Sequence, residues 1–354
     1  MSIQPLFTPF KLKSLNLRNR FVMAPMTRGS SPDGIPSQEV ADYYARRAAG
    51  DVGLILSEGT VVDRPASKNQ DGIPNFYGNA LPGWKNVIDS VHKSGGQMGA
   101  QLWHVGLAKP DPAGWLPAAP FEGPQNMSLG DVQAAIAAFG QAAADAKALG
   151  FDTIELHAAH GYLIDQFFWS HTNTRTDEYG GGTIKERSRF AVDVIKCIRK
   201  AIGPDMALII RLSQWKMDDF AAKIAQTPQE LEEWLSPLAL AGVDIIHASQ
   251  RRFWEPEFAG SDLNLAGWAK KITGLPTITV GSVGLSSDFI TSFSEAKTGT
   301  SDFDELIRRY ERGDFDLVAV GRAVLQDPNW VAKVREGKTH EIEEFTAASI
   351  ANLY

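Results

Sequence analysis

Cysteine is almost absent from this sequence, with Cys197 the single example among 354 residues. One cysteine excludes an internal disulfide framework and any multi-cysteine zinc or iron–sulfur site. No apolar run approaches the ~18–20 residues of a membrane-spanning helix. The opening residues, MSIQP, lack a basic segment followed by an apolar one, so we see no signal peptide. We therefore expect a cytoplasmic protein with no membrane partner.

Positive charge is also in short supply. The 35 Lys and Arg residues are outnumbered by 42 Asp and Glu, which gives a formal net charge of −7. This balance argues against a general electrostatic affinity for nucleic acid or anionic membranes. The remaining composition, 44% hydrophobic and 22% charged, is close to the globular average. It predicts a large core and, by default, an enzyme.

Short apolar runs alternate with helical segments along the chain. Strands that are covered on both faces are continuously apolar, and eight runs have this character. The predicted strands are residues 21–26, 52–58, 96–103, 153–159, 207–213, 243–249, 276–282 and 316–322. The predicted helices are residues 38–49, 81–93, 128–149, 184–202, 228–241, 263–272, 303–312 and 329–335.

This alternation predicts an α/β fold, a (β/α)8 TIM barrel. We assign residues 1–354 to a single barrel domain, with a short N-terminal cap before Phe21. The alternative is a doubly wound open sheet, which typically has a glycine-rich, phosphate-binding turn after its first strand. That turn, MAPMTRGSSPDG, contains no G-x-G-x-x-G pattern, and we therefore favour the barrel.

The last two predicted strands end in glycine followed by a polar residue. Barrels of this type bind ligands at the C-terminal ends of their strands, and phosphate commonly after the last two. Gly281-Ser282 and Gly321-Arg322 occupy those positions. Glycine lets backbone N–H groups approach the anion, and Arg322 supplies a forked cation. We predict a phosphate site, the alternative being two strand-end glycines beside a surface arginine.

Other strand ends offer groups that suit a flat heteroaromatic ring. Gln101 and Arg211 match an imide or carbonyl edge, and Thr27 provides a small hydroxyl close to the rigid Pro25. A buried, unpaired arginine inside a barrel mouth is costly. Arg211 therefore requires a carboxylate or a ligand that holds negative charge.

The fourth predicted strand ends in H-A-A-H-G-Y. Gly161 ends the strand, so that the chain can turn and bring His157 and His160 onto one ligand oxygen. Two neutral imidazoles would stabilise a developing enolate-like oxyanion, and Tyr162 could supply a proton. The alternative is a pair of core histidines with a packed tyrosine. The histidines lack carboxylates at ligand spacing, and we predict no metal site.

At these residues the chain resembles the old yellow enzyme family of FMN-dependent ene-reductases. The matching stretches extend over nearly the whole length. They are LFTPFKLKSLNLRNRFVMAPMTR, SEGT, QLWHVG, HAAHGYLIDQF, SHTNTRTDEYGG, IIRLS and VAVGRAVLQDP. The stretch from the fourth strand through DEYGG is the most specific of them.

The resemblance implies a non-covalent FMN in the barrel mouth and NADPH or NADH as transient hydride donor. The flavin ring would contact Pro25, Met26, Thr27, Gly59, Gln101 and Arg211. The FMN phosphate would lie near Gly281, Ser282, Gly321 and Arg322. Arg211 beside the flavin pyrimidine would stabilise negative charge on the ring. The flavin would then be the negatively charged ligand that Arg211 requires.

The resemblance also implies roles in reducing the C=C bond of α,β-unsaturated carbonyl or nitro compounds. His157 and His160 would hold the substrate oxygen, Tyr162 would protonate the α-carbon, and Trp103 would gate the pocket. Many members have His followed by Asn at the clamping pair, whereas this chain has two histidines, as another branch does. That branch often has Cys where this chain has Thr27, so substrate preference does not carry over.

Two loops, residues 214–226 and 250–262, are distinctive in this chain. Phe253, Trp254 and Phe258 in the second loop either line the substrate cavity or pack beneath it, and we assign Phe253 and Trp254 to substrate binding. The sequence leaves their role open, as it does the choice between NADH and NADPH and the physiological substrate. Homo-oligomerisation is compatible with the sequence, which carries no interface signature.

Three other functions stay open at this point. The flavin barrel could instead oxidise a small amine or ketone, although the single cysteine excludes the iron–sulfur architecture of related amine enzymes. A flavin-free barrel lyase or isomerase could use the same phosphate site for a phosphorylated metabolite. A non-enzymatic flavin-binding role is the least favoured, because polar groups fill the strand ends.

Overall fold

Eight parallel strands close into a barrel. The computed structural model describes residues 1–107, 114–286 and 303–354. Each strand pairs with its neighbours in chain order, and the last pairs with the first through Val318 opposite Phe21. The strands are β3 (Phe21–Met23), β4 (Leu54–Val61), β5 (Met98–Trp103), β6 (Thr153–His157), β7 (Ala207–Leu212), β8 (Ile245–Ser249), β9 (Thr277–Val280) and β10 (Leu317–Val320). The predicted (β/α)8 barrel is confirmed.

The N-terminal cap is a β-hairpin. Strands β1 (Phe10–Leu12) and β2 (Leu15–Leu17) pair antiparallel after a short 3-10 turn at Gln4–Phe7. Phe10, Leu15 and Leu17 are buried in the same cluster as the apolar side chains inside the barrel. The hairpin thus closes the N-terminal end of the barrel and leaves the opposite end for a ligand.

The inside of the barrel changes from apolar to polar along the strands. Alternate residues of a strand face the same side, so the inward residues of β7 are Ala207, Ile209 and Arg211. The first two lie in the apolar barrel cluster, while Arg211 is a buried charge at the C-terminal end. On β8, Ile245 and His247 repeat this change. The register places Arg211 opposite both His157 and His247, which gathers charged and polar side chains at one end.

Helices cover the outside of the barrel. Within the described ranges they are α1 (Gln38–Ala49), α2 (Leu81–Lys93), α3 (Leu129–Leu149), α4 (Leu163–Phe168), α5 (Ile184–Arg187), α6 (Arg189–Ile202), α7 (Pro228–Ala241), α8 (Leu265–Thr273), α9 (Asp304–Arg312), α10 (Arg322–Gln326) and α11 (Trp330–Arg335). None of these described helices is long and apolar enough to cross a membrane.

Two differences from the predicted helices have local causes. The helix expected over 184–202 is interrupted at Ser188, whose hydroxyl and backbone N–H both donate to the Ile184 carbonyl, a shared acceptor that is typical of a local bend in a helix. Helices α4 and α10 were not predicted, because each has only five or six residues and directly follows a strand end. Both lie beside the ligand-binding end of the barrel.

Candidate active site

One cavity opens at the C-terminal end of the barrel and gathers all but two of the residues predicted for the site. These predicted residues line it: Pro25, Met26, Thr27, Gly59, Gln101, Trp103, His157, His160, Tyr162, Arg211, Gly281, Ser282, Gly321 and Arg322. They come from seven of the eight barrel strands or from the residues that follow them. The structure therefore brings the predicted ring-binding, phosphate-binding and oxygen-binding groups into one space.

Phe253 and Trp254 are the two exceptions. Phe253 is buried, and its ring packs edge-on against Trp254 with 5.1 Å between centroids. The Phe253 carbonyl accepts a hydrogen bond from Asn264 and the Trp254 carbonyl accepts one from Arg309, both at 2.8 Å. These two side chains lie beneath their loop and not on the cavity wall, so their predicted contact with substrate has no geometric support.

The other distinctive loop supplies the apolar wall instead. Trp215, Met217 and Phe220 line the cavity, and the indole of Trp215 packs against the His160 ring at a tilt of 31°, with 4.4 Å between ring centroids. Trp215 is fixed by its Nε1–H, which donates to the Ser249 carbonyl at 3.1 Å. Sequence reasoning identified this loop as distinctive but assigned none of its aromatic residues.

The two histidines meet at the end of β6. Their rings lie 5.1 Å apart between centroids and nearly perpendicular, at 84°. The backbone N–H of Ala159 donates to His157 Nδ1 at 3.3 Å, so a neutral His157 carries its proton on Nε2. His160 Nε2 lies 2.8 Å from the hydroxyl of Ser249. Each ring is thus held through one nitrogen and has the other available.

The turn after β6 is what lets the histidines converge. His160 has a φ of +66° and Gly161 a φ of +82°, and the left-handed conformation is unfavourable for a residue with a side chain. Three hydrogen bonds hold it: His160 N–H to Ser213 Oγ at 2.9 Å, Gly161 N–H to Asp165 Oδ2 at 2.7 Å, and Met217 N–H to the His160 carbonyl at 3.2 Å. The predicted turn is present, and its conformation is held by neighbouring elements.

Burial keeps the histidines and the tyrosine uncharged. Burial, and then the charge of Arg211, lower the pKa of both His157 and His160 well below the usual value. Burial also raises the pKa of Tyr162, which therefore retains its phenolic proton. The Tyr162 ring packs edge-on against Trp103 at 4.9 Å and against His157 at 5.0 Å. The site holds two neutral imidazoles and one phenol, and the ring of His157 contacts both of the others.

Arg211 has a carboxylate neighbour that sequence reasoning missed. Glu155 on β6 accepts a hydrogen bond from Gln101 Nε2 at 2.7 Å and lies 2.6 Å from His247 Nδ1. Burial lowers the pKa of Arg211, and the charge of Glu155 opposes that change. The sequence could have indicated this carboxylate, because Glu155 lies two residues before His157 on a predicted strand and must face the same side of the sheet.

Arg211 still has an unsatisfied donor. Its Nε is buried without a hydrogen-bond partner among the described residues, and its Nη2 makes only a long hydrogen bond to Ser249 Oγ, at 3.4 Å. A buried polar atom without a partner is costly unless a ligand meets it. The arginine therefore suits a ligand edge that accepts hydrogen bonds or carries negative charge.

The opposite side of the cavity is built from backbone and glycine. Gly281 has a φ of +142°, and a Cβ atom there would lie 2.6 Å from the Gln250 carbonyl, so only glycine fits. Ser282 donates its hydroxyl to the Arg251 carbonyl at 3.0 Å and lies 3.4 Å from Arg322 Nη2. At Gly321 the nearest atom to an added Cβ would be Met26 Sδ at 3.4 Å, which leaves the backbone approachable.

These groups fit FMN. Glycine backbone with Arg322 suits a phosphate, and the unsatisfied Arg211 with the Gln101 amide suits the polar edge of a flavin ring. Gly59 has no room for a side chain, because a Cβ would lie 2.9 Å from the Trp103 ring. Among the described residues no group of three or more His, Cys, Asp or Glu side chains is arranged to hold a metal ion.

A buried carboxylate fixes the loop after β3. Glu58 Oε2 accepts the backbone N–H groups of Arg28 at 2.8 Å and Gly29 at 3.0 Å. Burial raises the pKa of Glu58 from 4.5 to about 7. The Arg28 guanidinium donates to the carbonyls of Ile350 and Asn352 at 2.7 and 2.8 Å, and Ile350 reaches the cavity. Neither contact could be read from the sequence, since the partners lie far apart in the chain.

Comparison with known proteins agrees with this site. Residues 5–341 match the NADH:flavin oxidoreductase / NADH oxidase family. The chain is 34% identical to NADH oxidase of Thermoanaerobacter brockii over 98% of its own length and 53% of that protein, and so spans about half of that relative. It is 32% identical to 12-oxophytodienoate reductase 7 of Oryza sativa subsp. japonica over 94% of this chain and 88% of that one. The structure of morphinone reductase in complex with tetrahydroNAD superposes with a TM-score of 0.79 at 26% identity, over 98% of this chain and 93% of that one.

The fold and the site define a flavin-dependent oxidoreductase of the TIM-barrel class. The chain belongs to the NADH:flavin oxidoreductase / NADH oxidase family, and the predicted membership of the old yellow enzyme group within it is confirmed. It is accordingly an FMN-dependent enzyme that uses NAD(P)H and acts on C=C bonds.

Proposed function

We propose that this protein reduces the C=C bond of α,β-unsaturated carbonyl or nitro compounds. The observation that carries the proposal is the convergence of His157 and His160 at the cavity, both neutral and each held through one nitrogen. A carbonyl or nitro oxygen is the group that two such N–H donors would bind. The names of the reductases to which the chain is similar support the same class of substrate.

FMN, when bound, would supply the hydride transfer between NAD(P)H and the substrate. Gln101 and Arg211 would hold the polar edge of the flavin ring, and Pro25, Met26 and Thr27 would lie along it. The backbone at Gly281, Ser282 and Gly321 would hold the phosphate together with Arg322. We propose that residues 1–354 form one FMN-binding domain of this kind.

The histidines would act as an oxygen clamp. Hydrogen bonds from two neutral imidazoles stabilise negative charge that develops on the substrate oxygen when hydride adds to the β-carbon. Because the pKa values of both rings are lowered, neither becomes charged at neutral pH and neither donates its proton outright. The clamp therefore polarises the double bond without changing its own protonation.

Tyr162 would complete the reaction by protonating the α-carbon. Its raised pKa keeps the phenol protonated, and its ring contacts that of His157. A phenol in contact with the clamp is well placed to reach the carbon next to the bound oxygen. Trp103, which packs against Tyr162, would shape the entrance.

Purification followed by a substrate panel tests the proposal. The protein is expected to be yellow, to release FMN on denaturation, and to oxidise NADH or NADPH in the presence of 2-cyclohexenone or a nitroalkene. A colourless preparation would favour a lyase or isomerase that acts on a phosphorylated metabolite. A yellow protein that oxidises amines but leaves enones unchanged would favour the reverse chemistry. The cytoplasmic location and a homo-oligomeric state stay predictions.

A further inference from the structure

A fully buried ion pair lies next to the candidate active site and has no part in the chemistry described above. Lys216 Nζ contacts both oxygens of Asp165, at 2.7 and 2.9 Å, and also the Gln214 carbonyl at 3.0 Å. Both side chains are 0% exposed. Removing two charges from water is expensive, and a buried pair is weak evidence of a contribution to stability. The role of the ion pair is better understood from the two segments of the cavity wall that it joins.

The pair joins two separate segments of the cavity wall. Asp165 belongs to α4, directly after the turn that carries the clamp, and its Oδ2 accepts the Gly161 N–H at 2.7 Å. Lys216 belongs to the loop over residues 214–226 and lies opposite His160 in an isolated β-bridge. The backbone of the same loop reaches the turn a second time, where Met217 N–H donates to the His160 carbonyl at 3.2 Å.

The loop end that Lys216 anchors is the one that faces substrate. Trp215 packs against His160, while Met217 and Phe220 line the cavity and are 46% and 39% exposed. Exposed apolar side chains need a rigid backbone if they are to present a defined surface to a ligand. The residues on both sides of the ion pair therefore contact the same ligand space.

We propose that Asp165 and Lys216 are positioning residues that hold the His160 turn and the Trp215–Phe220 wall in fixed relation, so that a substrate's oxygen and its apolar body are bound together. The inference rests on the proposed function, because it assumes that His160 binds the substrate oxygen. Among the described residues, the hydrogen bonds of the pair reach Gly161 and Gln214 and none of the residues assigned to FMN. Its effect should consequently appear in substrate affinity and not in flavin binding.

The left-handed conformation of His160 makes the turn sensitive to its supports. Such a conformation is unfavourable for a residue with a side chain and persists where the surroundings fix it. Without the pair, the Gly161 N–H bond and the β-bridge lose the charge interaction that links them. A displacement of the clamp by about 1 Å is enough to cost a large part of substrate positioning.

The test removes both charges without changing side-chain size. In Asp165→Asn/Lys216→Met the asparagine oxygen can still accept the Gly161 N–H, and no unpaired charge is left buried. The matched control is Lys223→Met/Glu257→Gln, which removes an ion pair of the same loop, at 3.0 Å, that lies away from the clamp turn. Each protein is loaded with FMN, titrated with cyclohexanone as a non-reducible probe through the flavin absorbance, and assayed with 2-cyclohexenone.

The expected result is a selective loss of ligand affinity. For Asp165→Asn/Lys216→Met we expect the cyclohexanone Kd and the enone KM to rise about tenfold, with kcat changed by less than about threefold. FMN content and reduction by dithionite should match the wild type. The control pair should change the Kd by less than about twofold, because it lies away from the clamp turn.

A Kd and a KM that stay within about twofold of wild type in the Asp165→Asn/Lys216→Met enzyme would overturn the inference. If that enzyme does not fold, Asp165→Asn/Lys216→Gln decides, because it also leaves no buried charge and lets the two amide side chains hydrogen-bond to each other. It should raise KM at least about threefold, and an unchanged KM would again be contradictory. A wild type that neither binds cyclohexanone nor reduces the enone would overturn the proposed function itself, and the inference with it.

Discussion

The two sides of the cavity are built by different means. On the side of β6 and β7, buried side chains hold one another through hydrogen bonds, as His160 with Ser249 and Glu155 with Gln101 and His247. On the side of β9 and β10, the ligand surface is mainly backbone at Gly281 and Gly321. We refer to these as the clamp side and the phosphate side.

The difference matches what each side would bind. A phosphate carries its full charge before and after the reaction, so backbone N–H groups and one arginine are sufficient to hold it. The charge on a substrate oxygen develops only during the reaction, and stabilising it requires donors that are already fixed. The clamp side accordingly contains the strained turn and the buried ion pair, whereas the phosphate side relies on glycine.

The largest expected effect separates the two sides directly. Replacing His157 and His160 together by alanine removes both oxygen donors and should lower kcat/KM for 2-cyclohexenone by about 100-fold or more. FMN should stay bound, because neither imidazole is assigned to the cofactor. Steady-state kinetics and the flavin content of the purified variant measure the two outcomes. Turnover close to wild type would refute the clamp assignment.

Glu58, which belongs to neither side, should make the free energy of unfolding depend on pH. Glu58 titrates near 4.5 when unfolded and at about 7 when folded, because burial raises its pKa. The folded state then binds more protons at Glu58 between these values, so the contribution of this group to the free energy of unfolding falls as pH rises from 5 to 8. The shift corresponds to at most roughly 3 kcal/mol.

Glu58→Gln removes this titration. Urea denaturation of holoenzyme at pH 5 and pH 8 should show that the variant loses less stability than the wild type between these two values. The clamp-side histidines contribute in the opposite sense, because their pKa values are lowered on folding and the unfolded state binds more protons near pH 6. Both proteins share this contribution, so it cancels when the variant is compared with the wild type. Equal pH dependence in the two proteins would show that Glu58 is ionised throughout.

The phosphate side should respond to Arg322→Ala. Loss of one charge-assisted contact to phosphate corresponds to about 2 kcal/mol, or about 30-fold in the FMN Kd. At saturating FMN, the KM for the enone should stay near that of the wild type. Equilibrium dialysis against FMN, followed by assays with added cofactor, distinguishes the two effects. A raised enone KM with normal FMN retention would place Arg322 on the substrate and not on the phosphate.

The smallest expected effect concerns Glu155, the buried carboxylate next to Arg211. Glu155→Gln removes a negative charge next to the arginine and keeps a side chain able to bond with Gln101. The midpoint potential of bound FMN should rise by about 30 mV, equivalent to about 1.4 kcal/mol for two electrons, because added negative charge on the ring is opposed less. Anaerobic titration against a reference dye measures it. An unchanged potential would mean that Glu155 does not influence the flavin site.

The barrel and most of the site could be predicted because both depend on local patterns. Continuous apolar runs mark strands buried on two faces, and the ends of parallel strands meet at one end of a barrel. Knowing that Arg211 and His157 end two strands was therefore enough to expect them together.

What could not be predicted depends on contacts between distant segments. Lys216 meets Asp165 across 51 positions, and Arg28 reaches Ile350 across 322. Phe253 and Trp254 were assigned to the cavity because their loop follows a strand end, but aromatic residues in such a loop can pack inward or face the ligand. The sequence does not indicate which of the two orientations a loop adopts. In this structure Trp215 and Phe220 line the cavity wall instead.

A single anaerobic turnover tests the central claim most directly. The wild-type holoenzyme is reduced with one equivalent of dithionite and mixed with 2-cyclohexenone, while the flavin absorbance is followed and the products are identified. We expect the yellow colour to return with about one cyclohexanone formed per FMN, as the two-electron exchange requires. Flavin that stays reduced in the presence of excess enone, or that recovers its colour without cyclohexanone, would contradict the account.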